Sequence, residues 1–357
     1  MTVDTQALPK DWEQMTPAWM SQVLAAHHPG VVVDTVSVDL RDDGTNRRAR
    51  LRLTYAIGSG PETVFVKAAD PDHKELIRMT SGMFHEPNLF RSGVDLPLEH
   101  PQVYSALIDE SSYDFVLVME DISARGAQPR DATRPLTPEQ AAAGVRGLGR
   151  LHGRYWGHRH RDHPALGWLE PFVPWGGMEI APLPEAYERL GESIPDAVRS
   201  LTIHQLLDDV WKPYIRSLTV MPRTLLHGDP HIGNTYVLDD GDVGFLDWQV
   251  ARSGNWSLDL GYFLQGALTV DDRRRHESAL LDEYRSALDL PAAELPSAAE
   301  IDLGYRASVA HGLTLWLCTA SAGDLWQRPD IAVALAHRYS VAYEDLDTAA
   351  AIRELPR

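Results

Sequence analysis

Cysteine occurs once in the 357 residues, at Cys318. A single thiol cannot close an intrachain disulfide, so the chain must hold together by packing and suits a reducing, cytoplasmic setting. Cys318 lies in an apolar helical run and reads as core rather than as a nucleophile. No uninterrupted apolar stretch reaches the length needed to cross a bilayer. The opening residues, Met1-Thr2-Val3-Asp4-Thr5, carry neither a basic region nor an apolar one, so no secretory leader is expected. Basic residues are in deficit: Lys+Arg number 33 against 51 Asp+Glu, a formal net charge of −18. That balance argues against nucleic acid and anionic membranes as partners and is compatible with a cationic substrate. Internal repeats and low-complexity tracts are also missing.

What is present is a globular composition, 44% hydrophobic and 24% charged, on a chain long enough for two domains. The chain is organised around residues 224–249. There Asp229 stands five positions before Asn234, and Asp247 follows thirteen positions later. Thr235 to Leu238 and Val243 to Leu246 read as two short strands, joined by Asp239-Asp240-Gly241-Asp242 as a hairpin. A hairpin of that length folds Asp247 back beside Asn234, with Asp229 on the loop just ahead. The chemistry this suits is phosphoryl transfer. Mg²⁺ takes one or two hard oxygen ligands from protein, which Asn234 and Asp247 can supply. An acceptor hydroxyl needs a positioned carboxylate to take its proton, which Asp229 can do.

The run His227-Gly228-Asp229 with Asn234, then Leu246-Asp247-Trp248-Gln249, then Asp259-Leu260-Gly261-Tyr262-Phe263, resembles the aminoglycoside phosphotransferase-like kinases. Within them it is most similar to the ecdysteroid-kinase-like branch. The resemblance is strong over 225–265 and weaker elsewhere in 31–345. It implies an α+β, two-lobed protein-kinase-like fold. Residues 1–122 would be an N-terminal nucleotide-binding lobe, an antiparallel sheet plus a helix. Residues 123–357 would be a larger, mainly helical lobe carrying the catalytic hairpin and the substrate site.

The resemblance also implies roles. Lys67 ends the apolar strand Thr63 to Val66, an awkward place for a charge without a partner. In such kinases this lysine reaches the α- and β-phosphates of ATP and pairs with a glutamate. Glu86, ahead of Leu89-Phe90, matches the family pattern, with Glu75 as competitor. Pro87 directly follows Glu86 and disfavours helix in the residue before it, so the helix is expected to begin or kink there. Period-2 alternation puts Phe65 on the face of Lys67, against the adenine. The turn at 42–47, with Gly44 its one glycine, is where backbone N–H groups would cover the phosphates. Backbone groups near Glu120 and Ile122 would meet the adenine edge at the hinge between lobes. His227 is expected to shape the loop, and Asp259 to hold the loop backbone from behind. His231 reads as structural, with phosphate or metal contact as the alternative.

Elsewhere the signals are local. Thr16 caps a helix with Pro17 in its first turn, and Thr137, Pro138 and Gln140 form a second helix start with a capping box. Ala49, Leu51, Leu53 and Tyr55 alternate with arginines as a half-buried strand. Gly144, Gly147, Gly149 and Gly153 weaken the helix that holds them and are expected to admit a close neighbour. His152 on that helix reads as a satisfied core histidine. Residues 127–135 read as loop. The aromatic-rich 164–223 reads equally as acceptor-pocket wall or as helical core. The function expected is an ATP- and Mg²⁺-dependent kinase of a small-molecule hydroxyl. The alternatives are a kinase-like nucleotide-binding protein with weak or no turnover, and a choline- or ethanolamine-type kinase.

Overall fold

The structure is a computed structural model that describes residues 8–41, 46–74, 82–157, 163–174 and 176–356. Gly44, Glu75, Trp175 and most of the histidine-rich stretch at 157–163 lie outside the described residues. The chain forms two compact units. One comprises Met1–Asp95, His100–Ala127 and Trp248–Val250; the other comprises Leu96–Glu99, Gln128–Asp247 and Ala251–Arg357.

The first unit is built on a five-stranded antiparallel sheet, β1 (Val32–Arg41), β2 (Arg47–Ile57), β3 (Thr63–Ala68), β4 (Val103–Asp109) and β5 (Asp114–Glu120), in the order β1-β2-β3-β5-β4. Alternation sorts its side chains onto two faces. Ala49, Leu51, Leu53, Val64, Val66 and Val118 share one core with Trp19, Met20 and Leu24 of α1 (Pro17–Leu24). Thr16 caps α1 by accepting from the Trp19 N–H at 3.3 Å. Leu117, Met119, Phe115 and Met83 make a second core, against which Phe65 packs. On β3 the odd positions therefore face away from the α1 core, as the strand period requires. Helix α2 runs His85–Arg91 with Glu86 and Pro87 in its first turn. Proline is tolerated there because the first-turn N–H groups have no intrahelical partner.

The second unit is mainly helical. Its longer helices are α3 (Pro138–Arg154), α4 (Leu183–Leu190), α5 (Lys212–Val220), α6 (Ser257–Ala267), α7 (Val270–Ala287), α8 (Ala298–Ser321), α9 (Pro329–Asp345) and α10 (Thr348–Glu354). The capping box at Thr137 and Gln140 forms at the start of α3. Gly144 and Gly153 explain why α3 tolerates its glycines: a Cβ at Gly144 would strike the Phe263 ring of α6, and one at Gly153 would strike the Leu288 carbonyl just past α7. Two small sheets complete the unit, β7 (Thr224–Leu226) with β10 (Arg252–Gly254), and a three-stranded sheet of β6 (Gln128–Pro129), β8 (Thr235–Val237) and β9 (Val243–Phe245). The sequence reads 127–135 as loop, but Gln128 and Pro129 pair with Val237 and Tyr236. Two residues are too few to show a period. Trp211 and Tyr214 of the aromatic-rich region are fully buried, so these two serve as core. No helix among the described residues is long and apolar enough to cross a membrane.

Candidate active site

The buried strand β7 delivers the chain to His227, Gly228 and Asp229. Gly228 has φ +85°, a left-handed turn that glycine adopts without a Cβ clash. His231 then caps a short turn, Ile232–Asn234, its Nδ1 accepting the Gly233 N–H at 3.0 Å. The β8–β9 hairpin closes tightly: Leu238 N–H donates to the Asp242 carbonyl at 2.9 Å, and Leu246 N–H donates to the Asn234 carbonyl at 2.8 Å. The hairpin thus returns the chain to Asn234 one residue before Asp247. Asp247 itself has φ +62°, a conformation that costs aspartate less than most residues.

Asn234 ties the two ends of this loop. Its Nδ2 donates to the Asp229 carbonyl at 2.8 Å and to Asp229 Oδ2 at 3.1 Å. The Asp229 side chain keeps 25% of its surface exposed. Its carboxyl is held well above the usual carboxylate range, first by burial and then by the charge of Asp247; the bonds from Asn234 and Tyr262 oppose the rise. His231 Nε2 lies 3.9 Å from Asp229 Oδ2. Burial pushes the His231 imidazole down to about 4, so the ring is neutral at physiological pH.

Asp259 anchors the loop from behind. Its carboxylate is fully buried and accepts the His227 N–H at 2.6 Å, the Gly228 N–H at 2.9 Å and His152 Nε2 at 3.2 Å. His152 completes its own bonding by accepting from the Tyr284 hydroxyl at Nδ1, 2.7 Å away. His227 accepts the Asp229 N–H at Nδ1, 3.2 Å, and donates from Nε2 to the Leu246 carbonyl, 2.9 Å. One neutral imidazole therefore links the residue before the hairpin to the residue after it.

In the first unit, Lys67 Nζ lies 2.7 Å from Glu86 Oε2, with side chains only 6% and 4% exposed. Glu86 Oε1 also accepts the Trp248 N–H at 3.1 Å. Phe65 stands two residues before Lys67 in β3 and packs beside Met119 and Leu117. The Glu120 N–H is committed to the Gln102 carbonyl at 2.8 Å, and its carboxylate to Arg125 at 2.5 Å. Ile122 opens the turn Ile122–Arg125, which Asp121 caps by accepting from Ser123. The first N–H of such a turn has no partner within it.

A family model described as APH, phosphotransferase enzyme family, matches residues 48–300. The chain belongs to this family. As a phosphotransferase it is a small-molecule kinase, transferring phosphate to a hydroxyl. No curated protein is similar to the sequence at a significant level. Among solved structures, a protein of Ralstonia eutropha JMP134 described as a candidate aminoglycoside phosphotransferase is similar with TM-score 0.54 and 17% identity, covering 97% of this chain and 99% of that one. At that identity the similarity is one of fold. The choline kinase of Streptococcus pneumoniae has TM-score 0.48 and 16% identity over 92% of this chain and 98% of its own. A spectinomycin phosphotransferase bound to ADP and spectinomycin has TM-score 0.48 and 14% identity over 98% and 100%.

The donor set of the phosphotransferase fits a hard cation. Asn234 spends its amide nitrogen on Asp229, so its carbonyl oxygen Oδ1 is turned away from that carboxylate, and Asp247 adds a carboxylate on the other hairpin strand's end. Among the described residues no group of three or more His, Cys, Asp or Glu makes a self-sufficient metal cage. Two protein oxygens with the rest left to phosphate and water is the arrangement Mg²⁺ favours. Cys318 is half-buried, and burial pushes its thiol up to about 12, which rules out a standing thiolate nucleophile. Two aromatic neighbours of this cluster were given no place in it by the sequence reading. Tyr262 neighbours Asp229, and the signal was its place three residues after Asp259, on the same face of α6. Trp316, on α8, packs its ring edge-on to His231 at 5.2 Å, and no local pattern links those two positions.

Proposed function

We propose that the protein is an ATP- and Mg²⁺-dependent kinase of a small-molecule alcohol. The observation that carries the reading is the bonded pair Asn234–Asp229 at the mouth of the hairpin that ends in Asp247. Asp229 orients the acceptor hydroxyl and takes its proton. Asn234 and Asp247 would hold Mg²⁺, which when bound neutralises phosphate charge. Lys67, oriented by Glu86, would bind the α- and β-phosphates. Backbone around Gly44 would cover the phosphates. Phe65, the Glu120 carbonyl and the Ile122 N–H would receive the adenine. His227 and Asp259 position the loop and take no part in proton transfer. In this reading residues 1–122 act as the nucleotide lobe and 123–357 as the catalytic lobe.

The Asp259-Leu260-Gly261-Tyr262-Phe263 run supports a place near the ecdysteroid-kinase-like branch, and the lone cysteine supports a reducing, cytoplasmic setting. The test is ADP release from Mg·ATP across a panel of alcohols that includes spectinomycin and choline, with Asp229→Ala as the blank. At least one alcohol should raise ADP release in the wild type alone. Equal release by both proteins on every alcohol sinks the reading.

A further inference from the structure

We propose that His231 is a second catalytic residue: its Nε2–H donates a hydrogen bond to the acceptor oxygen whose proton Asp229 takes. The inference rests on the kinase reading above and deepens it, since it says how the attacking oxygen is held.

Three observations fix this side chain. The first is its tautomer. Nδ1 accepts the Gly233 N–H at 3.0 Å, so that nitrogen carries no proton and the ring is not an imidazolium. The one ring proton is therefore on Nε2, which makes Nε2 a donor and not a metal ligand. The second is where Nε2 stands. It is 3.9 Å from Asp229 Oδ2, too far for a direct hydrogen bond, and among the described residues it makes no other. The third is how the ring is held. Tyr262 and Trp316 stand against it with ring centroids 5.8 and 5.2 Å away. On the turn itself, a Cβ at Gly233 would come within 2.6 Å of His231 Cε1, so the glycine is what leaves the imidazole its room.

A donor and an acceptor 3.9 Å apart can share one oxygen atom. An oxygen about 2.8 Å from each would see them about 90° apart, close to the directions of a hydroxyl's own O–H and lone pair. Such a hydroxyl donates to Asp229 and accepts from His231 at once, and its second lone pair stays free to attack. Both side chains keep part of their surface, 25% for Asp229 and 13% for His231. In the transfer, the hydroxyl proton passes to the Asp229 carboxylate. The oxygen's free pair forms the new bond to the γ-phosphorus, and the bond from that phosphorus to the β–γ bridging oxygen breaks, its pair leaving with ADP. His231 keeps its proton throughout. As the hydroxyl proton departs, charge gathers on the attacking oxygen and the Nε2–H bond strengthens, so its contribution falls on kcat.

Two substitutions separate the donor from the turn that His231 caps. His231→Asn keeps an oxygen that can accept the Gly233 N–H and loses the N–H beyond it. His231→Gln carries an amide N–H about as far out as Nε2 and gives up the cap. Both are assayed by ADP release from Mg·ATP with the panel alcohol that the wild type phosphorylates fastest, spectinomycin and choline among those tried. His231→Asn should lower kcat at least about tenfold with KM for Mg·ATP unchanged, and His231→Gln should keep most of the wild-type kcat. Wild-type kcat in His231→Asn overturns the inference. So do equal losses in the two variants, or a larger loss in His231→Gln, because a capping or packing role predicts those. A raised KM for Mg·ATP with kcat intact assigns the donor to phosphate and overturns it as well. The ¹⁵N–¹H spectrum of the resting protein needs no substrate: it should show His231 protonated at Nε2 alone, and a proton on Nδ1 overturns the inference whatever the protein phosphorylates. A wild type that phosphorylates no alcohol, with the Nε2–H tautomer in place, defeats the kinase reading itself and takes this inference with it.

Discussion

At the scale of single residues, the side chain under most strain of duty is Asp259. Its buried carboxylate satisfies two consecutive backbone N–H groups, of His227 and Gly228, and one histidine. Removing an acceptor leaves each of those donors buried and unpaired, at about 1–3 kcal/mol apiece. Asp259→Ala should therefore lower stability by several kcal/mol. Asp259→Asn keeps the volume but swaps an acceptor oxygen for a donor, and should lower kcat at least tenfold with little change in nucleotide KM; an unaltered kcat would show that the loop holds itself. The Lys67–Glu86 pair is also buried. Lys67→Ala strands a buried charge and should cost about 3–5 kcal/mol in urea unfolding. A loss under 1 kcal/mol would mean that Glu86 stays solvated without its partner. Asp247→Ala should abolish the Mg²⁺ dependence of nucleotide affinity, which titrating ATP with and without Mg²⁺ would reveal.

At the scale of elements, the hairpin and the caps are local devices, and they were legible for that reason. Gly241 at φ +88° sits where the acidic turn placed it, and the Thr16 and Thr137 caps follow from residue type and spacing. The glycines of α3 announced a close neighbour but could not name it, since Phe263 and Leu288 lie far along the chain. Gly153→Ala should cost about 1–3 kcal/mol, because its Cβ meets the Leu288 backbone, which cannot move aside as a flexible side chain would. An exposed helical glycine replaced by alanine would instead gain stability, so the sign of the change in urea midpoint decides the point.

For the molecule as a whole, what the sequence could not show is which distant segments share a body. Trp248 and Gln249 belong with the N-terminal sheet because Glu86 accepts the Trp248 N–H across 162 positions and Asn46 donates to Gln249 across 203. Neither contact leaves a periodic trace. The strands at 48–55, 63–67 and 115–119 and the capped helices were readable, because alternation and caps repeat over many residues, while their assembly into one antiparallel sheet was what the resemblance implied and the strand Val103–Asp109 was not foreseen. Burial also sets the response of the fold to acid. His311 is fully buried, and its imidazole is pushed down to about 3 from an ordinary value near 6.5. The unfolded chain then binds a proton that the native state refuses, so this contribution to stability is complete above about pH 6.5 and drains away as pH falls toward 3. By pH 5 the loss is about 2 kcal/mol. His311→Gln lacks this term, so its stability deficit against wild type should narrow by that amount between pH 7 and pH 5; parallel curves would mean His311 is protonated in the fold.

The account turns on Asp229 as the base that activates an alcohol beside bound nucleotide. The most direct measurement takes Asp229→Ala and follows two quantities in one sample, Mg·ATP affinity by calorimetry and phosphate transfer to the alcohol that the wild type accepts. Affinity should stay within about twofold and transfer should fall by about a hundredfold or more. Transfer at the wild-type rate in that variant would contradict the assignment.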